Sequence, residues 1–254
     1  MKNLKEVILK NSKLKFPALM YNVLKWEKER VDKNFTKGSY FEDINDKFGI
    51  FPKTKLYPMY FYGNIENPKN KYVFVGINPS YTGGLEEDEC LEEKESVAKY
   101  YHFLKNAFTW WDIKLDHKFL PYFNKISLYL SETEKIKREE INYKWLQENV
   151  INLELIPYHS KSADGLIINN IEEYYQTYFE LFRKAIKHIN SKKPIVFLGK
   201  DNFLNIFEND QFKKDIIIEK RGNTLTGTIL GTYKFFVLNF RFSQKDLKDL
   251  NKLR

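Results

Sequence analysis

The chain has 254 residues, of which 43% are hydrophobic and 17% aromatic, and it carries a formal net charge of +8. That length suits one large domain or two small ones, and the hydrophobic share excludes disorder along the whole chain. One cysteine, Cys90, excludes internal disulfides, an iron–sulfur cluster and a multi-cysteine zinc site. The histidines 102, 117, 159 and 188 lack metal-ligand spacing, so neither a metal nor a cofactor is expected. Met1 to Lys15 is too charged for a signal peptide, and no apolar run approaches the roughly 18 residues of a membrane span. A soluble cytoplasmic protein without a membrane partner is expected. Basic charge with abundant aromatics suits a nucleic-acid partner, where cations meet phosphates and rings meet bases. A lysine-coated soluble enzyme fits the charge equally well.

In chain order, the first residues to about 50 read as helical, with Leu14, Leu19, Val23, Leu24 and Trp26 among lysines and glutamates. Pro58 to Tyr62 reads as a short strand ending at Gly63-Asn64. Tyr72 to Gly76 is a continuous apolar run, the pattern of a strand buried on both faces. Residues 85–150 are acidic and then aromatic, and they predict several helices. Val150 to Ile156 is a second strand, stopped by Pro157. Residues 171–190 predict an amphipathic helix, Pro194 to Gly199 a third strand, and 202–207 another helix. Ile216 to Ile218 and Thr226 to Leu230 read as shorter strands, and Phe235 to Asn239 as a fourth apolar strand before a basic C-terminal helix.

Strands separated by helical segments imply parallel strands joined by crossovers, with ligands beyond the carboxyl ends. Three loops meet that rule: Asn78 to Gly84, Pro157 to Ser162, and Arg241 to Lys245. No repeat or linker divides the chain. A single domain over 1–254 is expected, with a helical N-terminal extension to about 55 and a helical insertion over about 85–150.

The segment Gly76-Ile77-Asn78-Pro79-Ser80 resembles the first motif of the uracil-DNA glycosylase superfamily. The match is to the G-I-N-P-G form of its mismatch-specific and single-strand-selective branches. Ile151-Asn152-Leu153-Glu154 resembles the family's second strand, Pro194 to Gly199 its third, and Leu238 to Ser243 the approach to its last motif. The resemblance implies an α/β fold, a three-layer α-β-α sandwich around a mainly parallel four-stranded central sheet. It also implies a monofunctional DNA glycosylase that flips a base from DNA and hydrolyses its N-glycosidic bond. DNA is the expected partner; no protein partner is called for, and a monomer is expected.

The family's roles carry over residue by residue. Asn78 would position the attacking water, and Asn152 would read the base edge, since a carboxamide offers both a donor and an acceptor. Where the family's last motif has histidine, this chain has Arg241-Phe242-Ser243; Arg241 would stabilise charge developing on the leaving base. Its alternative roles are a phosphate contact or a surface ion pair. Glu154 shares a strand face with Asn152 and would accept from the exocyclic amine of a cytosine-type base; an ion pair with a lysine is the other reading.

Ser80 stands where strict uracil enzymes place a tyrosine, which leaves the C5 side open. Together with Glu154 it favours a 5-substituted cytosine, hydroxymethylated or glucosylated, of phage DNA, and a role in antiphage defence. Gly76 and Ile77 would border the base, and Tyr81 and the stretch Phe108-Thr109-Trp110-Trp111 are candidates for stacking, although such rings more often belong to a core. His159 could reach the pocket or simply satisfy its loop. Phe242 could wedge into the emptied stack, while Lys161, Ser162, Ser243 and Lys245 would contact DNA at the mouth. Two alternatives stand beside this reading: a repair glycosylase for uracil or mismatched thymine, and a non-catalytic nucleic-acid-binding relative.

Overall fold

The computed structural model describes residues 3–34, 39–50, 58–68, 71–77, 79, 96–114, 116, 118–159, 166–221, 224–239, 241–244 and 246–247. Its centre is one mixed sheet. The strands are β1 (Phe61–Tyr62), β2 (Tyr72–Gly76), β3 (Val150–Glu154), β4 (Ile195–Leu198), β5 (Ile216–Arg221), β6 (Thr224–Ile229) and β7 (Tyr233–Leu238). They lie in the order β1-β3-β2-β4-β7-β6-β5. The run β3-β2-β4-β7 is parallel throughout, while β1 and the β5–β6 pair join antiparallel at the two edges.

The α/β class agrees with the sequence reading, but the sheet is seven-stranded and mixed among the described residues, not four-stranded. The four long apolar runs are its parallel middle. β2, β3 and β4 are buried along their whole length, which is why they read as unbroken apolar stretches. The segments read as shorter strands form a hairpin that continues the same sheet. On β5, Ile216 is buried while Ile217 is 53% exposed, so half of that strand faces solvent and its pattern is weak. Gly227 in β6 lets the hairpin close: a Cβ there would overlap the Ile217 carbonyl and lie 2.8 Å from the Phe235 ring. β3 ends at Glu154, yet Leu155 and Ile156 still donate to the Gly76 and Ile77 carbonyls at 3.1 and 2.8 Å, until Pro157 ends the pairing.

From β2 the chain goes to β3 on one side and later returns to β4 on the other. That reversal marks the carboxyl-end position where open α/β sheets bind ligands.

The helices cover the sheet and its edges. They are α1 (Leu4–Lys10), α2 (Phe16–Asn34), α3 (Ser39–Phe48), α4 (Val97–Lys105), α5 (Ala107–Lys114), α6 (Pro121–Thr133), α7 (Tyr143–Asn149), α8 (Ile171–Gln176), α9 (Tyr178–Ile189) and α10 (Lys200–Phe207). The N-terminal helix α2 packs on α4 and α9. A buried polar network fixes it there. Glu27 accepts from Arg30 at 3.1 Å and from the Tyr60 and Tyr158 hydroxyls at 2.6 and 2.9 Å. Arg30 also reaches Asp43 of α3 at 2.7 Å and Tyr158 at 2.8 Å. Among the described residues, no helix is long and apolar enough to cross a membrane.

Candidate active site at the carboxyl end of the parallel strands

The parallel register of β2 and β3 sets Phe74 beside Asn152 and Gly76 beside Glu154. Because strand side chains alternate, Asn152 and Glu154 project from the same face of β3. Both are buried, Asn152 with no exposed surface and Glu154 with 8%. Buried polar groups need partners, and here they form a short relay. The Tyr122 hydroxyl, one residue after the proline that opens α6, donates to Asn152 Oδ1 at 2.6 Å. Asn152 Nδ2 in turn donates to Glu154 Oε1 at 2.8 Å. Glu154 Oε2 has no hydrogen-bond partner among the described residues.

Gly76 provides the space for that carboxyl. A Cβ at position 76 would overlap it, lying 2.8 Å from both Cδ and Oε1. The glycine that opens the G-I-N-P-S segment is therefore required here by close approach of a neighbouring strand's acid.

Burial pushes the Glu154 carboxyl up to about 8, with hydrogen bonding from Asn152 and Tyr62 opposing the rise. The carboxyl is therefore largely protonated at neutral pH, and Oε2 can act as a donor. Burial, reinforced by the nearby Glu154 charge, holds the Tyr122 phenol well above its ordinary value, while the Asn152 contact opposes that shift. Tyr122 stays a neutral donor.

Tyr62 pairs across the sheet with Asn152 and packs edge-on against Trp111 at 5.1 Å. Trp111 also meets Phe123 at 4.8 Å. Phe108 and Trp111 thus belong to the core, and Trp110 packs edge-on against Phe103 at 5.2 Å. The helical insertion, whose purpose the sequence leaves open, delivers Tyr122 to Asn152 and backs Tyr62 with aromatic rings. Nothing in the spacing marks Tyr122 or Tyr62; the one local signal is Pro121, which indicates a helix start.

Gly76, Asn152 and Glu154 are brought together. Ile77 is buried beside them, its carbonyl accepting from Ile156, and its side chain lies 3.2 Å from where a Cβ on Gly199 would be. His159 is buried past the end of β3, next to the Tyr158 that joins the Glu27 network. Arg241 is exposed beyond β7, two strands from β2, and its backbone N–H donates to Asn239 Oδ1 at 3.3 Å. Phe242 is 2% exposed, with Lys125 Nζ 5.1 Å above its ring and 3.0 Å from its carbonyl, so insertion into DNA would require this turn to open. Ser243 caps the following turn, its Oγ and N–H both donating to Asp246 at 2.8 and 2.7 Å. Asn78, Ser80, Tyr81, Lys161, Ser162 and Lys245 lie outside the described residues.

No group of three or more His, Cys, Asp or Glu able to hold a metal occurs among the described residues. A cavity of about 20 Å³ beside β3, lined by Phe16, Met20, Tyr60, Leu153, Glu154 and Tyr178, has room for one water molecule and no larger ligand. The relay at Asn152 and Glu154 is the place where polar groups converge on the carboxyl edge. No protein-family model matches the chain, and no curated protein matches it.

Proposed function

We propose that the chain is a monofunctional DNA glycosylase for a 5-substituted cytosine, hydroxymethylated or glucosylated, with a role in removing the modified bases of phage DNA. The observation that carries this reading is the Asn152–Glu154 pair, set against Gly76 at the start of the G-I-N-P-S loop. A deoxynucleotide extruded from DNA would meet these groups at the carboxyl edge, with its base edge toward the pair. The three-layer α-β-α arrangement of the uracil-DNA glycosylases is part of the same proposal.

Cleavage develops positive charge on the sugar while the base departs as an anion. Asn78 holds the attacking water through its amide carbonyl. A carboxamide orients water but does not take its proton as a carboxylate does, so turnover is modest. Arg241, a permanent cation on the same edge of the sheet, stabilises the departing base. Ser80 leaves room at C5, and the chain's positive charge draws in the DNA backbone.

A panel of duplexes, each with one odd base, tests this directly. The wild-type protein is expected to leave an alkali-labile site opposite guanine at 5-hydroxymethylcytosine, and Asn78→Ala to bind the same duplex without cutting it. Cutting confined to uracil or to mismatched thymine would replace this reading with a repair glycosylase. Binding without a labile site on any duplex would leave a non-catalytic relative.

A further inference from the structure

We infer that Glu154, rather than Asn152, is the residue that reads the base edge, with Oε2 donating a hydrogen bond to a ring nitrogen that accepts one, as N3 of a cytosine-type base does. This rests on the glycosylase reading and divides the work of the polar pair.

Three geometric facts support it. Asn152 has no exposed surface, and both of its polar atoms are engaged inside the protein, Oδ1 by Tyr122 and Nδ2 by Glu154 Oε1. A base could use this amide only by breaking the relay. Glu154 Oε2, by contrast, is buried and has no partner among the described residues, in a side chain that retains 8% exposure. Leaving such an atom unsatisfied is costly unless a ligand completes it. Finally, the absent Cβ of Gly76 lets the carboxyl lie against β2, at the strand end that precedes Asn78 in sequence by two residues. Asn152 is then a positioning residue: its N–H holds Oε1 as the acceptor, so the proton belongs on Oε2.

The titratable groups facing the carboxyl are the Tyr122 phenol from α6 and the Tyr62 phenol from β1; β3 contributes the Asn152 amide and β2 only Gly76. No described cation acts on it. Its protonated form offers a donor at Oε2 and a remaining lone pair at Oε1. Cytosine presents the complement, an acceptor at N3 beside an amine. Uracil carries N–H at N3, which would meet the Oε2 proton head-on.

Two duplexes with the same C5 group isolate this edge: 5-hydroxymethylcytosine and 5-hydroxymethyluracil. The wild-type protein should prefer the first by about tenfold or more. Its rate should fall as pH rises through about 8. Glu154→Gln places a permanent amide donor at the Oε2 position; it should keep the preference for the cytosine while the alkaline fall disappears. Glu154→Ala should lose the preference. The inference is overturned if Glu154→Gln is as impaired as Glu154→Ala, or if Glu154→Ala still discriminates between the two bases. If the wild-type protein cuts neither duplex, the glycosylase reading fails, and the carbon-13 resonance of the Glu154 carboxyl with each free base decides the inference. A response to 5-hydroxymethylcytosine alone upholds it; a response to neither, or to both alike, overturns it.

Discussion

Glu27 and Glu154 are both buried carboxylates, and they are treated in opposite ways. Glu27, 1% exposed, accepts from a guanidinium and two phenols, and its Arg30 partner extends the network to Asp43 while lying 5.0 Å over the Trp26 ring. Glu154 has the Asn152 amide at Oε1, the Tyr62 phenol beside the carboxyl, no described cation, and an Oε2 with no hydrogen-bond partner among the described residues. The first is a closed arrangement that joins α2, α3 and the segments beside β1 and β3. Its donors are all internal, so it has nothing to offer a ligand. The second keeps its proton because burial outweighs the hydrogen bonding from Asn152 and Tyr62, and a perturbed acid at the carboxyl edge of a parallel sheet marks a candidate site. Burial alone does not separate the two; the identity of the partners does.

The largest expected effect breaks the closed arrangement. Arg30→Met leaves Glu27 buried without its cation and should cost about 3–5 kcal/mol in denaturant unfolding. A loss below about 1 kcal/mol would mean that water reaches Glu27 and that the contrast between the two acids is overstated.

The next effect belongs to Glu154. Its folded-state value near 8 lies above the ordinary 4.5, so the native state keeps a proton that the unfolded chain has released. The stability linked to this group is fully present below about 4.5 and is lost as pH rises toward about 8. Wild-type stability should therefore decline relative to Glu154→Gln by up to about 1.4 kcal/mol per pH unit across that window. Parallel curves for the two proteins would place Glu154 in the ordinary carboxylate range.

Gly76→Ala sharpens the geometry. The added methyl displaces the Glu154 carboxyl at a cost of about 1–3 kcal/mol, and base excision should fall with it; calorimetry and the duplex assay read the two effects separately. The smallest effect on stability is expected at Arg241, which is exposed. Arg241→Ala should change unfolding by no more than about 0.5 kcal/mol, yet lower excision on the order of 10²-fold. Weaker binding with an unchanged cleavage step would make it a phosphate contact instead.

The parts of this molecule that could be read from sequence share a physical reason. β2, β3 and β4 are parallel strands buried along their whole length, and β7 is buried from Phe235 to Leu238, so their apolar composition marks them. The β5–β6 hairpin is half exposed and was legible only as weak short strands, with nothing to say that it extends the same sheet. At the site, Gly76, Asn152 and Glu154 were within reach because they lie on recognisable strands and two of them share a face by alternation. Tyr122 and Tyr62 were not, because their roles arise from contacts between separate elements and aromatic residues are common throughout the chain. Phe242 shows the same limit from the other side. An apolar residue after a strand end suits a wedge, and only packing reveals that it lies under Lys125.

The central claim is that this fold removes a modified cytosine from DNA, and mass spectrometry of small molecules released from phage DNA tests it most directly. Incubated with genomic DNA containing hydroxymethylated or glucosylated cytosine, the wild-type protein should release the free modified base, and Asn78→Ala should release none. Recovery of no free base from any such DNA, with the protein folded and bound, would contradict the account.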